Sequence, residues 1–229
     1  MANKKKESEK ELEVDEILSR SERFIEKNKN LLIYGLATVA VVVGLYLAYH
    51  YGYAVPRAEK ATQAIFRGQQ YFERDSFALA LNGNDFDYEG FDAIIDQYGS
   101  TKAGNLAKAY AGICYYRLGD PQTAIRRLKS FSGNDTQMTP VMTGLIGDCY
   151  VSIGEVKEGI RYFEKAASKA NNEIFSPIYL KKAGIAYESL NQYRDAISVY
   201  TVIKEKYNRS MEAMDIDRYI TQAEIRSRK

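Results

Sequence analysis

The chain has no tryptophan, one histidine (His50) and two cysteines (Cys114 and Cys149) in 229 residues. The two thiols are too far apart for a CxxC motif, and with a single imidazole they do not complete a structural zinc site. No histidine follows residue 50 and no Gly-rich phosphate loop occurs, so nucleophilic, acid–base and nucleotide chemistry lack their usual residues. The expectation is a protein with no catalysis, no cofactor, no metal and no small-molecule substrate. An excess of one charge is missing too: 32 Lys and Arg stand against 30 Asp and Glu, with no long basic stretch. That excludes the electrostatic footprint of a nucleic-acid binder. With 45% apolar residues, the chain still has ample material for a core.

Charge is absent altogether from Asn30 to Pro56, His50 aside. Within it, Leu31 to Tyr53 (LLIYGLATVAVVVGLYLAYHYGY) is apolar or aromatic almost throughout. As a helix it is about 34 Å long, enough to cross a bilayer core of about 30 Å. Tyr46, Tyr49, His50, Tyr51 and Tyr53 gather at its end, where amphipathic rings favour the headgroup layer. Gly52-Tyr53-Ala54 offers a small-x-small site, but the long acidic tail and the length of the apolar run argue against a cleaved signal peptide. Lys4, Lys5, Lys6, Lys10, Arg20, Arg23, Lys27 and Lys29 precede the run, whereas Arg57, Lys60 and Arg67 are the nearby cations after it. The bias places the N-terminus in the cytoplasm and, in a bacterium, the remainder in the periplasm. In the tail, Val14, Ile17, Leu18, Phe24 and Ile25 recur at helical spacing, which predicts a short amphipathic helix on the headgroups or docked on a membrane partner.

Self-similarity organises the rest. Gly112-x-x-Tyr115, Gly147-x-x-Tyr150 and Gly184-x-x-Tyr187 are each followed, 12 residues after the glycine, by Ala124-Ile125-x-x-Leu128, Gly159-Ile160-x-x-Phe163 and Ala196-Ile197-x-x-Tyr200. The glycines lie 35 and 37 residues apart, close to the repeat of about 34 that defines tetratricopeptide hairpins. Glycine in the first helix lets the second approach closely, and the later large side chain fills the wedge. Leu118-Gly119-Asp120, Ile153-Gly154-Glu155 and Leu190-Asn191-Gln192 supply left-handed stops between helices. Asp120-Pro121, Thr139-Pro140 and Ser176-Pro177 each read as an N-cap followed by proline at the first helical position. Ala58 to Leu81 reads as one long helix, Asn82 to Tyr88 as a polar loop and Phe91 to Tyr98 as a second helix, together a degenerate hairpin. Met211 to Ile225 reads as a capping helix.

The fold class is therefore all-α: an N-terminal single transmembrane helix followed by a tetratricopeptide-type α-solenoid. Its parts are a tail (1–30), the span (31–53) and an exported domain (54–229). The domain divides into a first hairpin (58–98), repeats near 105–138, 140–171 and 177–207, and a cap (211–225).

Repeat and layout resemble the tetratricopeptide family and, more narrowly, the ancillary subunit family of the Sec translocon (YfgM-like). The narrower likeness adds Leu81-Asn82-Gly83 to Gly90-Phe91 and Tyr98-Gly99-Ser100-Thr101-Lys102-Ala103-Gly104-Asn105-Leu106-Ala107. That resemblance implies a bacterial inner-membrane protein whose partners are Sec translocon subunits, a periplasmic chaperone or prolyl isomerase, and emerging chains. An adaptor in envelope assembly or cell division is the alternative, as is an organelle receptor of opposite topology.

Such solenoids bind through the concave wall of their first helices. Counting along each unit places Ile113, Tyr116 and Arg117, then Asp148 and Val151, then Lys181, Ile185 and Glu188 on that wall. Lysine and asparagine at the positions that grip a terminal carboxylate are replaced by Ala109 and Ile113, Gly144 and Asp148, and Lys181 and Ile185. An apolar peptide or a partner's helix fits better. Cys114 and Cys149 share a repeat position on adjacent helices about 9 to 10 Å apart, beyond the roughly 7 Å reach of a disulfide, and are expected to be buried free thiols. Asp85, Asp87 and Glu89 lack the spacing of a calcium loop and read as a solvated turn.

Overall fold

The computed structural model describes residues 2–84 and 86–228, with side chains from Phe24 onward. It divides into two compact units, Met1–Pro56 and Arg57–Lys229.

The first unit is dominated by α1 (Ala2–Tyr49), followed by a π-helical turn (His50–Ala54). The tail and the apolar run are one helix, longer than the short amphipathic element expected, because no Gly-Pro break or N-capping loop separates them. The helical run Phe24–Glu73 contains an 18-residue window of mean hydropathy 2.3, none of it buried, and is long and apolar enough to cross a membrane. Leu31, Leu36, Val41 and Leu45 are all more than 60% exposed. The surface helix of a globular domain turns an apolar stripe inward, whereas here the apolar residues are exposed around the helix.

The second unit is a run of helical hairpins. It comprises α2 (Val55–Glu73), α3 (Phe77–Asn82), α4 (Phe91–Tyr98), α5 (Lys102–Arg117), α6 (Pro121–Ser130), α7 (Met138–Ser152), α8 (Val156–Ala170), α9 (Phe175–Ser189), α10 (Tyr193–Lys206), a 3-10 turn (Glu212–Asp215) and α11 (Ile216–Ser227). From α3 to α11 each helix packs on its sequence neighbours, and the first helices α5, α7 and α9 also touch in turn. The apolar interior accordingly falls into four successive clusters, centred on Phe91 and Ile94, on Leu128 and Ile146, on Phe163 and Tyr179, and on Tyr200 and Ile203.

The hairpins close as the repeat reading requires. A Cβ on Gly112 would stand 2.5 Å from Cγ of Leu128, and one on Gly147 2.6 Å from Cδ1 of Phe163, so the missing side chain is the space the second helix occupies. Between helices, Gly119 (φ 83°), Gly154 (φ 84°) and Asn191 (φ 58°) take the left-handed conformation. The next amide then turns back: Asp120 N donates to Tyr115 O, Glu155 N to Tyr150 O and Gln192 N to Tyr187 O, each at 2.9 to 3.0 Å.

Some local expectations need correcting. Asp120 does cap α6, accepting from Thr123 N at 2.9 Å with Pro121 at the first position. Thr139 and Ser176 do not cap their helices; both are buried inside the first turn. The capping acceptors lie upstream: Asp135 Oδ1 takes the amides of Gln137, Met138 and Thr139, and Asn172 Oδ1 those of Ile174 and Phe175. Pro140 and Pro177 remain harmless because first-turn amides have no intrahelical partner. The stretch 58–81 is two helices, since Asp75 adopts φ 56° and Ser76 N turns back to Tyr71 O at 2.9 Å. Tyr88, read as part of a polar loop, is 4% exposed and donates to Ala80 O at 2.7 Å. Asn84 Oδ1 holds that loop by accepting from the amides of Phe86, Asp87 and Tyr88.

Candidate binding surfaces

On the wall expected to be concave, three charged candidates, Asp148, Lys181 and Glu188, are paired within the chain. Asp148 on α7 receives Lys182 Nζ of α9 at 2.7 and 2.9 Å. Lys181 donates to Asp215 at 2.7 Å and lies 4.5 Å from the ring centre of Tyr219. Glu188 accepts from Tyr200 Oη at 2.9 Å and from Arg226 Nη1 at 2.8 Å. The hydrogen bond from Lys181, with its charge, holds the Asp215 carboxyl below its usual pKa. These contacts tie one layer to the next, α11 serving as the neighbour of α9. The chain therefore satisfies the charges of Asp148, Lys181 and Glu188 within itself.

The remaining candidates divide. Ile113 and Tyr116 are half-buried against the second core cluster. Burial raises the Tyr116 phenol pKa, the Asp148 charge adding to it. Arg117 is exposed with its guanidinium 5.7 Å from the ring centre of Phe77. Val151 (37% exposed) and Ile185 (49%) are the apolar side chains of this set left open to a partner.

In the tail, Phe24 and Ile25 are exposed at 63% and 55%. The side chains of Val14, Ile17 and Leu18 lie outside the described residues, as does Asp85. In the NGNDFDYEG turn, Asp87 pairs with Arg67 and Glu89 accepts from Gln97, so both carboxylates are engaged within the chain. Among the described residues, no group of three or more His, Cys, Asp and Glu side chains is arranged to hold a metal ion.

Cys114 and Cys149 are free, fully buried and belong to successive core clusters. Burial pushes both thiols up to about 12, with Asp92 adding to the first and Asp148 to the second. Such thiols are poor nucleophiles.

Two clefts open elsewhere, and neither was read from the sequence. One, of about 350 Å³, lies between α2, the 87–89 turn and α4, and mixes Lys60 and Arg67 with Asp87 and Glu89. The other, of about 440 Å³, lies between the second helices α6 and α8, over α7. It carries Lys129, Lys165, Lys169 and Tyr162. The one local signal was Lys165 and Lys169, a turn apart on α8.

The stacked hairpins, the glycine-to-large-side-chain crossings and the left-handed interhelix turns define a tetratricopeptide-like α-solenoid. Solved structures agree. A putative kinesin light chain from Podosopora anserina with nearly identical TPR-like repeats superposes with a TM-score of 0.54 at 10% identity, covering 74% of this chain and 87% of that one. The MamA protein superposes with a TM-score of 0.53 at 19% identity, covering 75% and 93%. At these identities the likeness is one of fold. No family model matches the sequence, and no curated protein does.

Proposed function

We propose that the protein is a membrane-anchored protein–protein interaction scaffold. Residues 31–53 cross the bacterial inner membrane once, residues 1–30 stay in the cytoplasm, and the solenoid (54–229) stands in the periplasm. There it acts as an ancillary subunit of the Sec translocon, linking it to periplasmic chaperones or a prolyl isomerase and to emerging chains. The observation that carries the reading is a helix exposed and apolar around its whole circumference, joined in one chain to a tetratricopeptide-like repeat fold. The helix supplies attachment in lipid, where every backbone group must be bonded within the segment. The wall around Val151 and Ile185 supplies an apolar contact for an extended or helical partner. The tail residues Val14, Ile17, Leu18, Phe24 and Ile25 supply a second contact at the membrane.

Topology and partner are tested together. A reporter active only in the periplasm should work when fused after Lys229 and fail at Met1; the reverse pattern overturns the orientation and favours an organelle receptor. Photo-crosslinkers at Leu36, Val41 and Leu45, followed by mass spectrometry, should recover translocon subunits. Recovery of envelope-assembly or division proteins in their place would assign the scaffold to those machines.

A further inference from the structure

The cleft between α6 and α8 differs from the inner wall in one respect: its cations are uncompensated. On α9 and α11, Lys181, Lys182 and Arg226 each meet a carboxylate. Over the cleft stand Lys129, Lys165 and Lys169, and among the described residues no carboxylate lines it and none of the three lysines is in an ion pair. Like charges gathered over one concavity repel one another, and that repulsion is relieved when an anion enters.

Two of the lysines are also held in place. Lys129 Nζ donates to Tyr150 Oη at 2.6 Å and lies 5.0 and 5.5 Å from the ring centres of Tyr150 and Tyr162. Those two rings stack at 5.3 Å, and Lys165 lies 5.7 Å over Tyr162. The aromatic pair fixes the direction of the charges without neutralising them.

Beneath the charges the floor is apolar. Leu128 of α6 and Met142 and Ile146 of α7 are each at most 5% exposed and form it, the two α7 residues on the side of that helix opposite Asp148 and Val151. The nearby hydroxyls are engaged, Thr143 donating to Thr139 O and Thr139 to Asp135. A ligand here thus meets a greasy base and a cationic rim. Lysines are point charges without the planar fork that grips phosphate at two points, and a recessed floor cannot reach a flat bilayer surface. On α8, Lys165 and Lys169 stand about 6 Å apart along the helix axis, the separation of two carboxylates one turn apart on a partner helix.

We infer that this cleft is a second docking site, distinct from the inner wall, for an acidic amphipathic helix of a protein partner: an apolar side chain enters the cleft while flanking Glu or Asp residues pair with Lys165, Lys169 and Lys129. The inference does not depend on the membrane or translocon reading, since it concerns the second unit alone.

The test uses the full chain in detergent micelles and a fluorescent peptide of about 16 residues with Glu at i and i+4 around Leu, read by anisotropy. Saturable binding is expected, weakening steeply as NaCl rises from about 0.05 to 0.3 M. The same peptide with Gln for Glu should bind at least about tenfold more weakly, as should the Lys165→Glu/Lys169→Glu protein, provided its circular dichroism is unchanged. The Lys157→Gln protein, altered on the same helix away from the cleft, should bind within about twofold of the parent. Absence of binding, or binding indifferent to Lys165 and Lys169, overturns the proposal. So does a short-chain phosphatidylglycerol that binds through these lysines while the peptide does not, which would make the site one for lipid headgroups.

Discussion

The ring of Tyr200 lies on the bare backbone of Gly184, so close that a Cβ added there would stand 2.5 Å from Cζ and nearer still to Cε1. Tyr200 is fully buried and its hydroxyl is bonded to Glu188, so the ring has no free volume into which to retreat. Gly184→Ala would gain about 1 kcal/mol of helix propensity, but overpacking of this kind costs about 1 to 3 kcal/mol or more, and the clash should win. The expected outcome is a lower melting temperature for residues 57–229. A stabilised Gly184→Ala protein would contradict the crossing.

The partner position in the second helix gives an independent check. Ala196 is fully buried and Asp195 beside it is exposed. Ala196→Leu adds three heavy atoms at the crossing and should cost about 1 to 3 kcal/mol, whereas Asp195→Leu should stay within about 0.5 kcal/mol. Because neighbouring hairpins stabilise one another, the loss should spread along the solenoid. Circular dichroism melts that fail to separate the two variants would mean the register is misplaced.

Buried thiols raised to about 12 are almost entirely protonated at pH 8. Cys114 and Cys149 should therefore resist iodoacetamide in the folded protein for hours and react at once in guanidinium. Mass spectrometry reads the outcome directly. Alkylation of either thiol under native conditions would show that its core cluster opens.

Alkali should unfold the second unit. Burial raises Tyr179 and Tyr187 to about 12 and lifts Tyr200 further, the Glu188 hydrogen bond adding to the last. A phenol that holds its proton more tightly when folded stabilises the fold fully below the unfolded pKa of about 10, and that contribution is lost as pH climbs through the folded value. Melting temperatures should thus be level near pH 8 to 9 and fall between about pH 10 and 12. Tyr187→Phe should flatten that fall while lowering stability modestly at neutral pH, since Glu164 loses its hydrogen bond.

What the sequence made legible was what repeats. Gly112, Gly147 and Gly184 with Leu128, Phe163 and Tyr200 announce both the hairpin and its crossing, because one steric rule recurs three times. The turns at Gly119, Gly154 and Asn191 followed from the same register. Features used once were obscured. Asp135 and Asn172 cap their helices from several residues upstream, so Thr139 and Ser176, each beside a proline, looked like the caps. Tyr88 sits in a polar run, yet its ring is buried, because Asn84 folds the loop back over α3. The pairing of Lys181 with Asp215 and of Glu188 with Arg226 spans 34 and 38 residues, and the lysines of the outer cleft come from two repeats. No local pattern encodes such pairs; they follow from how the layers stack.

The division of the interior into four small clusters, each sealed mainly by the helices next to it in sequence, has a mechanical consequence. Tension applied between Arg57 and Lys229 would pass through the interfaces in series, so the weakest gives way first while the others hold. Extension would then proceed as a staircase of rips, each releasing about 110 Å of contour length for a hairpin of roughly 34 residues. The solenoid would act as a ratcheted shock absorber, able to lose one hairpin under load and regain it from the folded neighbour as template.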